Sequence, residues 1–278
     1  MRAKRFKCRW WCGSALILTA CAIPGCDTPR TAREVRGAAA LIPVQNEPPA
    51  KIIVDPPLAA GLARGAAVIQ YRTENLRVEP VFGAAALAVS PRIGHVHVMV
   101  DDGPWVWADT GGELLIVQGL PPGPHKILLQ LESANHQSLD QGTVSFTVPA
   151  LPPMDMHSPP AASGASGEPP AKLFIDPPLA EALSRGVVFI KYHTENLHIV
   201  PVYGNPGLAV SPRIGHIHVT VDNAAWHWAD GSGNPVIING LTPGPHKILI
   251  ELANTVHQAI DQYTVEVTIP ETKPHDAH

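Results

Sequence analysis

The chain has 278 residues, 45% hydrophobic and only 16% charged, with 30 Pro and 23 Gly. That length suits about two ordinary domains, and the composition excludes a chain disordered throughout while favouring many turns over long helices. The formal charge of −4, with no basic cluster beyond the first ten residues, argues against nucleic acid as a partner.

Arg2, Lys4, Arg5, Lys7 and Arg9 precede an apolar run from Trp10 to Ala20. The run is shorter than the roughly 20 apolar residues that a spanning helix needs, so residues 1–20 read as a secretory signal. Leu18-Thr19-Ala20-Cys21 resembles the bacterial lipoprotein box, which makes Cys21 the expected lipidation point. Ile23-Pro24-Gly25-Cys26 is a poorer second box, and an ordinary cleaved signal with a secreted product is the alternative. The expected location is therefore the periplasmic face of the bacterial cell envelope, with a lipid anchor in the membrane as the first partner. All four Cys (Cys8, Cys12, Cys21, Cys26) fall in this segment, so no disulfide or thiolate is expected in the folded part. Without residues 1–20 the chain carries 15 Lys+Arg against 24 Asp+Glu, or −9.

Residues 21–50 read as a disordered tether. Beyond it, one unit is written twice. Residues 51–149 and 172–270 align at a constant offset of 121 without a gap, and roughly 55 of about 100 positions are identical. DPPLA, TENL, LAVSPRIGH and PGPHKIL recur in both copies. Between them, residues 150–171 are rich in Pro, Ala, Ser and Gly and read as an extended linker. Residues 271–278 form a short polar tail.

In the first copy, strands are predicted over 51–54, 66–73, 76–81, 93–101, 105–109, 114–119, 125–132 and 142–148. Turn signals such as Asp55-Pro56-Pro57, Asp102-Gly103-Pro104 and Pro121-Pro122-Gly123-Pro124 separate them. Only 58–64 looks helical. The expectation is all-β: two tandem immunoglobulin-like β-sandwiches, with a small jelly roll as the alternative for each.

The segment 93–101 alternates with period two. Val96, Val98 and Val100 share one face; His95, His97 and Met99 share the other. In the second copy Ile217, Val219 and Val221 oppose His216, His218 and Thr220. If the valines face the core, the imidazoles look away from it. Side chains at i and i+2 on a strand sit about 6.5–7 Å apart at the backbone, so both rings can converge on one metal ion, and a third ligand is then needed. The candidates are His125 and His136 (His246 and His257 in the second copy), or Asp101 or Asp109. His193, His198 and His227 have no counterpart in the first copy, where Arg72, Arg77 and Val106 stand, and are poor candidates for a role common to both. The plainer alternative is a His pair that hydrogen-bonds across the sheet or faces solvent. The linker patch Met154-Asp155-Met156-His157 offers soft ligands but reads as incidental.

Trp105 and Trp107, repeated as Trp226 and Trp228, project to one face of a strand. They suit either core packing or a stacking platform for a sugar or other flat ligand, with Asp109 and Asp230 beside it. No phosphate loop, nucleophile elbow or paired carboxylates at glycosidase spacing is present, and no catalytic residue is assigned.

The motifs SPRIGHxHV, WxWAD and PGPHKIL are similar to those of a family of uncharacterised bacterial exported domains, a domain of unknown function. The similarity covers nearly all of both copies. It implies an immunoglobulin-like sandwich in the cell envelope and no particular activity. Gly94-His95-Val96-His97 also resembles the copper-binding strand of copper/zinc superoxide dismutase over a few residues, without that family's cysteine bridge or second metal loop. The functional expectation is a binding module, with Cu or Zn as the candidate ligand, or an envelope protein or sugar partner. A dismutase-like redox enzyme and a purely structural module are the alternatives.

Overall fold

A computed structural model describes residues 47–112, 114–150 and 168–271. The signal, Cys21 and Cys26, most of the tether and linker, and all but the first tail residue lie outside these.

In repeat 1 the elements are β1 (Lys51–Val54), the one-turn helix α1 (Ala59–Leu62), β2 (Ala66–Ile69), β3 (Tyr71–Glu74), β4 (Arg77–Val78), β5 (Ile93–Val100), β6 (Val106–Asp109), β7 (Leu115–Gln118), β8 (Gly123–Ser133) and β9 (Ser138–Val148). In repeat 2 they are β10 (Lys172–Ile175), α2 (Ala180–Leu183), β11 (Val187–Ile190), β12 (Tyr192–Glu195), β13 (His198–Ile199), β14 (Ile214–Val221), β15 (His227–Asp230), β16 (Val236–Asn239), β17 (Gly244–Asn254) and β18 (Ala259–Ile269). The fold is thus all-β, an immunoglobulin-like tandem. No helix among the described residues is long and apolar enough to cross a membrane.

The sequence reading has each repeat close its own sandwich. In the structure the repeats exchange strands. One large sheet runs β11-β16-β6-β5-β8-β9, two strands of repeat 2 joined to four of repeat 1. The other runs β18-β17-β14-β15-β7-β2, with the roles reversed. The joints are antiparallel: Trp228 pairs with Val117, and Ile238 with Trp107. The short β4 and β13 add parallel to β5 and β14, and β1-β3 and β10-β12 form separate two-stranded sheets. The turn after β6 carries the chain from one large sheet to the other, so the hydrophobic positions of both copies fill one contiguous core.

The tryptophans sit at the centre of this exchange. Trp107 stacks on Trp228 at 4.8 Å between ring centroids, and Trp105 on Trp226 at 5.5 Å. Trp107 and Trp228 are each 3% exposed. The ligand-platform reading of Trp105, Trp107, Trp226 and Trp228 is therefore corrected. Each indole meets its counterpart from the other repeat, which buries the apolar rings and stabilises the joint.

Asp109 and Asp230 end the same two strands. Asp109 accepts hydrogen bonds from the Tyr71 hydroxyl (2.7 Å) and the Gly111 amide. Asp230 accepts from the amide and hydroxyl of Ser232. Burial raises the pKa of both, that of Asp230 to about 6, and the neighbouring Asp109 charge adds to the shift at Asp230. These carboxyls support the joint and do not reach the histidines as a third ligand.

Residues 47–50 and 168–171, assigned by sequence to tether and linker, pack against the body. Ala50 and Ala171 are buried in the core, and Asn75 and Asn196 hydrogen-bond to the carbonyls of Pro49 and Pro170.

Candidate metal centre

On β5 the valines behave as the alternation requires: Val96 and Val98 are fully buried in the core. The opposite face carries His95 and His97. It is only partly open to solvent, because the connection from β4 to β5 folds back over it. That connection holds Phe82 and a 3-10 turn, Ala84–Ala88. The Gly83 amide anchors it by donating to the Ala134 carbonyl at 2.8 Å. Gly83 has φ 102°, a left-handed conformation that glycine adopts without strain. Phe82 lies 4.9 Å from His95 and 5.8 Å from His136, ring to ring. In repeat 2, Tyr203 takes the place of Phe82 over His216 and His257. His95 and His216 have no exposed surface at all.

The glycine of the Gly-His-x-His motif has a steric cause. A Cβ on Gly94 would stand 2.0 Å from the Glu132 carbonyl oxygen, and one on Gly215 2.1 Å from that of Ala253. The partner strand bulges there, between Leu131 and Glu132 and between Leu252 and Ala253. Only a residue without a side chain lets the two backbones approach so closely.

The third histidine is His136, in the turn between β8 and β9. The His136 amide donates to the Ser133 carbonyl at 2.9 Å, and His136 takes φ 61°. His257 does the same with φ 62°. Left-handed backbone at a side-chain-bearing residue costs about 1–2 kcal/mol, which the rest of the turn must offset.

These turns bring three ring nitrogens together. His95 Nε2 stands 3.1 Å from His97 Nε2 and 3.1 Å from His136 Nδ1. In repeat 2 the triangle closes fully. His216 Nε2 to His218 Nε2 is 3.0 Å, His216 Nε2 to His257 Nδ1 is 3.0 Å, and His218 Nε2 to His257 Nδ1 is 3.1 Å. Each triad offers three nitrogen atoms within 4.8 Å of one another and could hold a metal ion. With metal–nitrogen bonds of about 2.0–2.1 Å, edges of 3.0–3.1 Å give N–metal–N angles of about 90–100°. That is close to the face of an octahedron and somewhat tighter than a tetrahedron.

Hydrogen bonds alone account poorly for this packing. A neutral imidazole nitrogen holds either one proton or one lone pair, so three nitrogens in a closed triangle cannot all pair. His95 Nδ1 and His216 Nδ1, on the far side of the rings, have no partner among the described residues. Leaving a buried polar atom unpaired costs about 1–3 kcal/mol. Burial first, and neighbouring imidazoles second, lower the pKa of His95 and His216 to about 3. Burial likewise lowers those of His97 and His257 to about 4. Burial lowers that of His136 as well, so the triads favour the neutral ring whose lone pair a metal can take.

His125 and His246 do not join the triads. His125 Nδ1 meets Asp101 Oδ2 at 2.6 Å, and its Nε2 meets the Pro121 carbonyl at 2.7 Å. His246 repeats this with Asp222 and Thr242. Both ring nitrogens donate to oxygen, so no lone pair remains for a metal. Burial, the largest single influence, opposes the charge, but the hydrogen bonds to the carboxylate and the backbone carbonyl and the carboxylate's charge together outweigh it, and the pKa of both is raised. Their place as metal-ligand candidates is corrected to braces at a strand end, and Asp101 is occupied in the same brace.

The residue that the sequence reading set aside is His227. Its ring lies 4.5 Å from that of His218. The signal was the strand register: His218 pairs with Ala229, so His227 projects to the same face one diagonal away. Requiring a role common to both copies removed it. His193, by contrast, stacks on Phe174 far from the triad in sequence and sheet, and His198 lies on β13.

An all-β tandem carrying one histidine triad per repeat is the class that fold and site define. The chain belongs to the family of unknown function DUF6130, whose model matches it twice, over residues 12–158 and 150–278. No curated protein matches it. Among solved structures it is similar to the fibronectin(III)-like modules of Clostridium thermocellum CbhA. The identity is 11% and the TM-score 0.23, over 82% of this chain and all of that one.

Proposed function

We propose that the protein is a transition-metal-binding module of the bacterial envelope, taking Cu or Zn at His95, His97 and His136 and at His216, His218 and His257. Imidazole suits both ions. The observation that carries this reading is the convergence of three ring nitrogens on one point, twice, each time around a fully buried histidine (His95 or His216) over which the chain folds its own loop. Export through residues 1–20 and anchoring at Cys21 would place the module at the membrane surface, where divalent or monovalent metal arrives from outside the cell.

The test is a titration of the metal-stripped full chain with Cu²⁺ and with Zn²⁺, beside a variant carrying His95→Ala, His97→Ala, His216→Ala and His218→Ala. Binding of two ions per chain by the parent and none by the variant is expected. Equal binding by both, or by neither, overturns the proposal.

A further inference from the structure

The two triads sit in different surroundings. Beside His218, repeat 2 has His227; at the matching place beside His97, repeat 1 has Val106. The Nε2 atom of His227 is buried and has no hydrogen-bond partner among the described residues. That nitrogen is buried and unpaired beside the triad but outside the group whose atoms lie within 4.8 Å of one another, so a turn of the His227 ring, which already packs on His218, is what would bring it to the ion. The triads also differ in cover. In repeat 2, His216 and His218 are buried and His257 half-buried; in repeat 1 only His95 is buried, and His136 is exposed. Repeat 1 opens further on the His136 side. There a cleft of about 490 Å³, lined by Phe82, His136, Leu179, Arg185, Phe189 and Ile237, runs between the repeats.

Resting on the metal-binding reading above, we infer that the two sites are functionally distinct. Repeat 2 holds its metal with four imidazoles, the three of the triad and His227, as a closed site. Repeat 1 holds its metal with three and keeps a coordination position for a small exogenous ligand that enters from the cleft. Four protein ligands characterise structural sites of tetrahedral ions, and three with an open position characterise sites that exchange or react. No step of chemistry at the open position is implied beyond exchange of a bound water for an anion.

Two background variants isolate the sites: His95→Ala/His97→Ala leaves repeat 2, and His216→Ala/His218→Ala leaves repeat 1. Zn²⁺ affinity is measured by competition with a chromophoric chelator, and Co²⁺ spectra are recorded with and without azide. Repeat 2 is expected to bind Zn²⁺ at least tenfold more tightly than repeat 1. His227→Val should abolish that margin, and Val106→His should raise the affinity of repeat 1 by about tenfold. Azide should shift the Co²⁺ spectrum of repeat 1 and leave that of repeat 2 unchanged. Both His227→Val and Val106→His import the residue that the other repeat already carries on the same strand face, and far-ultraviolet circular dichroism and melting confirm that each folds. If both sites bind with equal affinity, if His227→Val is silent, or if azide shifts both spectra, the distinction fails while the metal-binding reading survives. If neither background binds metal, the reading beneath it fails.

Discussion

Around His95 and His97 the cross-strand places on β8 hold Glu132 and Gln130; around His216 and His218 the same places on β17 hold Ala253 and Glu251. On the other side Val106 faces the first pair and His227 the second. Phe82 covers one triad and Tyr203 the other. Yet the nitrogen–nitrogen distances agree within 0.1 Å wherever both repeats make the same contact. The features common to both repeats are those that aim the rings: the glycine before the first His, the bulge opposite it, and the left-handed turn under the third. The features that differ are those that line the approaches to each triad. Duplication thus separates the frame of the site from its surroundings.

The largest expected effect tests the frame. Gly94→Ala and Gly215→Ala each drive a Cβ into a backbone carbonyl that cannot yield as a side-chain tip would. Each should destabilise the fold by more than about 3 kcal/mol, and by similar amounts, in denaturant unfolding. A marked difference between the two would show that the repeats do not share this constraint.

The next effect tests the strand exchange. Repeat 1 alone (residues 47–150) lacks the strands that complete its sheet and the indoles that cover Trp105 and Trp107. Expressed by itself it should pair with a second copy and run as a dimer in size-exclusion chromatography with light scattering. A folded monomer would contradict the exchange.

A smaller effect separates the two buried carboxyls. Tyr71 donates a hydrogen bond to Asp109, whereas the Tyr192 hydroxyl is buried without a hydrogen-bond partner among the described residues. Burial and the charge of Asp109 raise the pKa of Asp230 to about 6 in the folded chain, above its unfolded value near 3.8. The native state therefore holds a proton that the unfolded state has released. This contribution to stability is full below about pH 4 and is lost as pH rises through about 6, amounting to roughly 1–3 kcal/mol. Asp230→Asn should flatten the dependence of melting temperature on pH over that window, and an unchanged slope would rule Asp230 out as its source.

The smallest effect on stability comes from His136→Gly. Glycine relieves the left-handed strain but forfeits the contact with Phe82, so unfolding free energy should move by no more than about 1 kcal/mol while metal binding at repeat 1 is lost.

Much of this was legible in the sequence. Period-two alternation gave β5 and its valine core face, and turn residues gave most strand ends. The offset of 121 gave the duplication, and the His-x-His step gave two of the three histidines in each triad. The exchange of β7 and β16 between sheets was not legible, because a strand's own pattern says which face is buried but not which neighbour buries it. The choice of His136 over His125 depended on loops. His125 lies near the start of β8 beside Asp101, whose carboxylate lies 25 residues earlier along the chain than the Lys126 amide it also accepts, and only the fold brings them together. His227 was visible but was set aside because it occurs in one copy only. That rule finds what two repeats share and hides how they differ.

The most direct test is X-ray diffraction from crystals of the metal-loaded chain at the absorption edge of Cu or Zn. Two anomalous peaks are predicted, each about 2.0–2.1 Å from three ring nitrogens: Nε2 of His95, Nε2 of His97 and Nδ1 of His136 in one, and Nε2 of His216, Nε2 of His218 and Nδ1 of His257 in the other. Peaks at His125 or His246 instead, or none at either triad in crystals grown with saturating metal, would contradict the account.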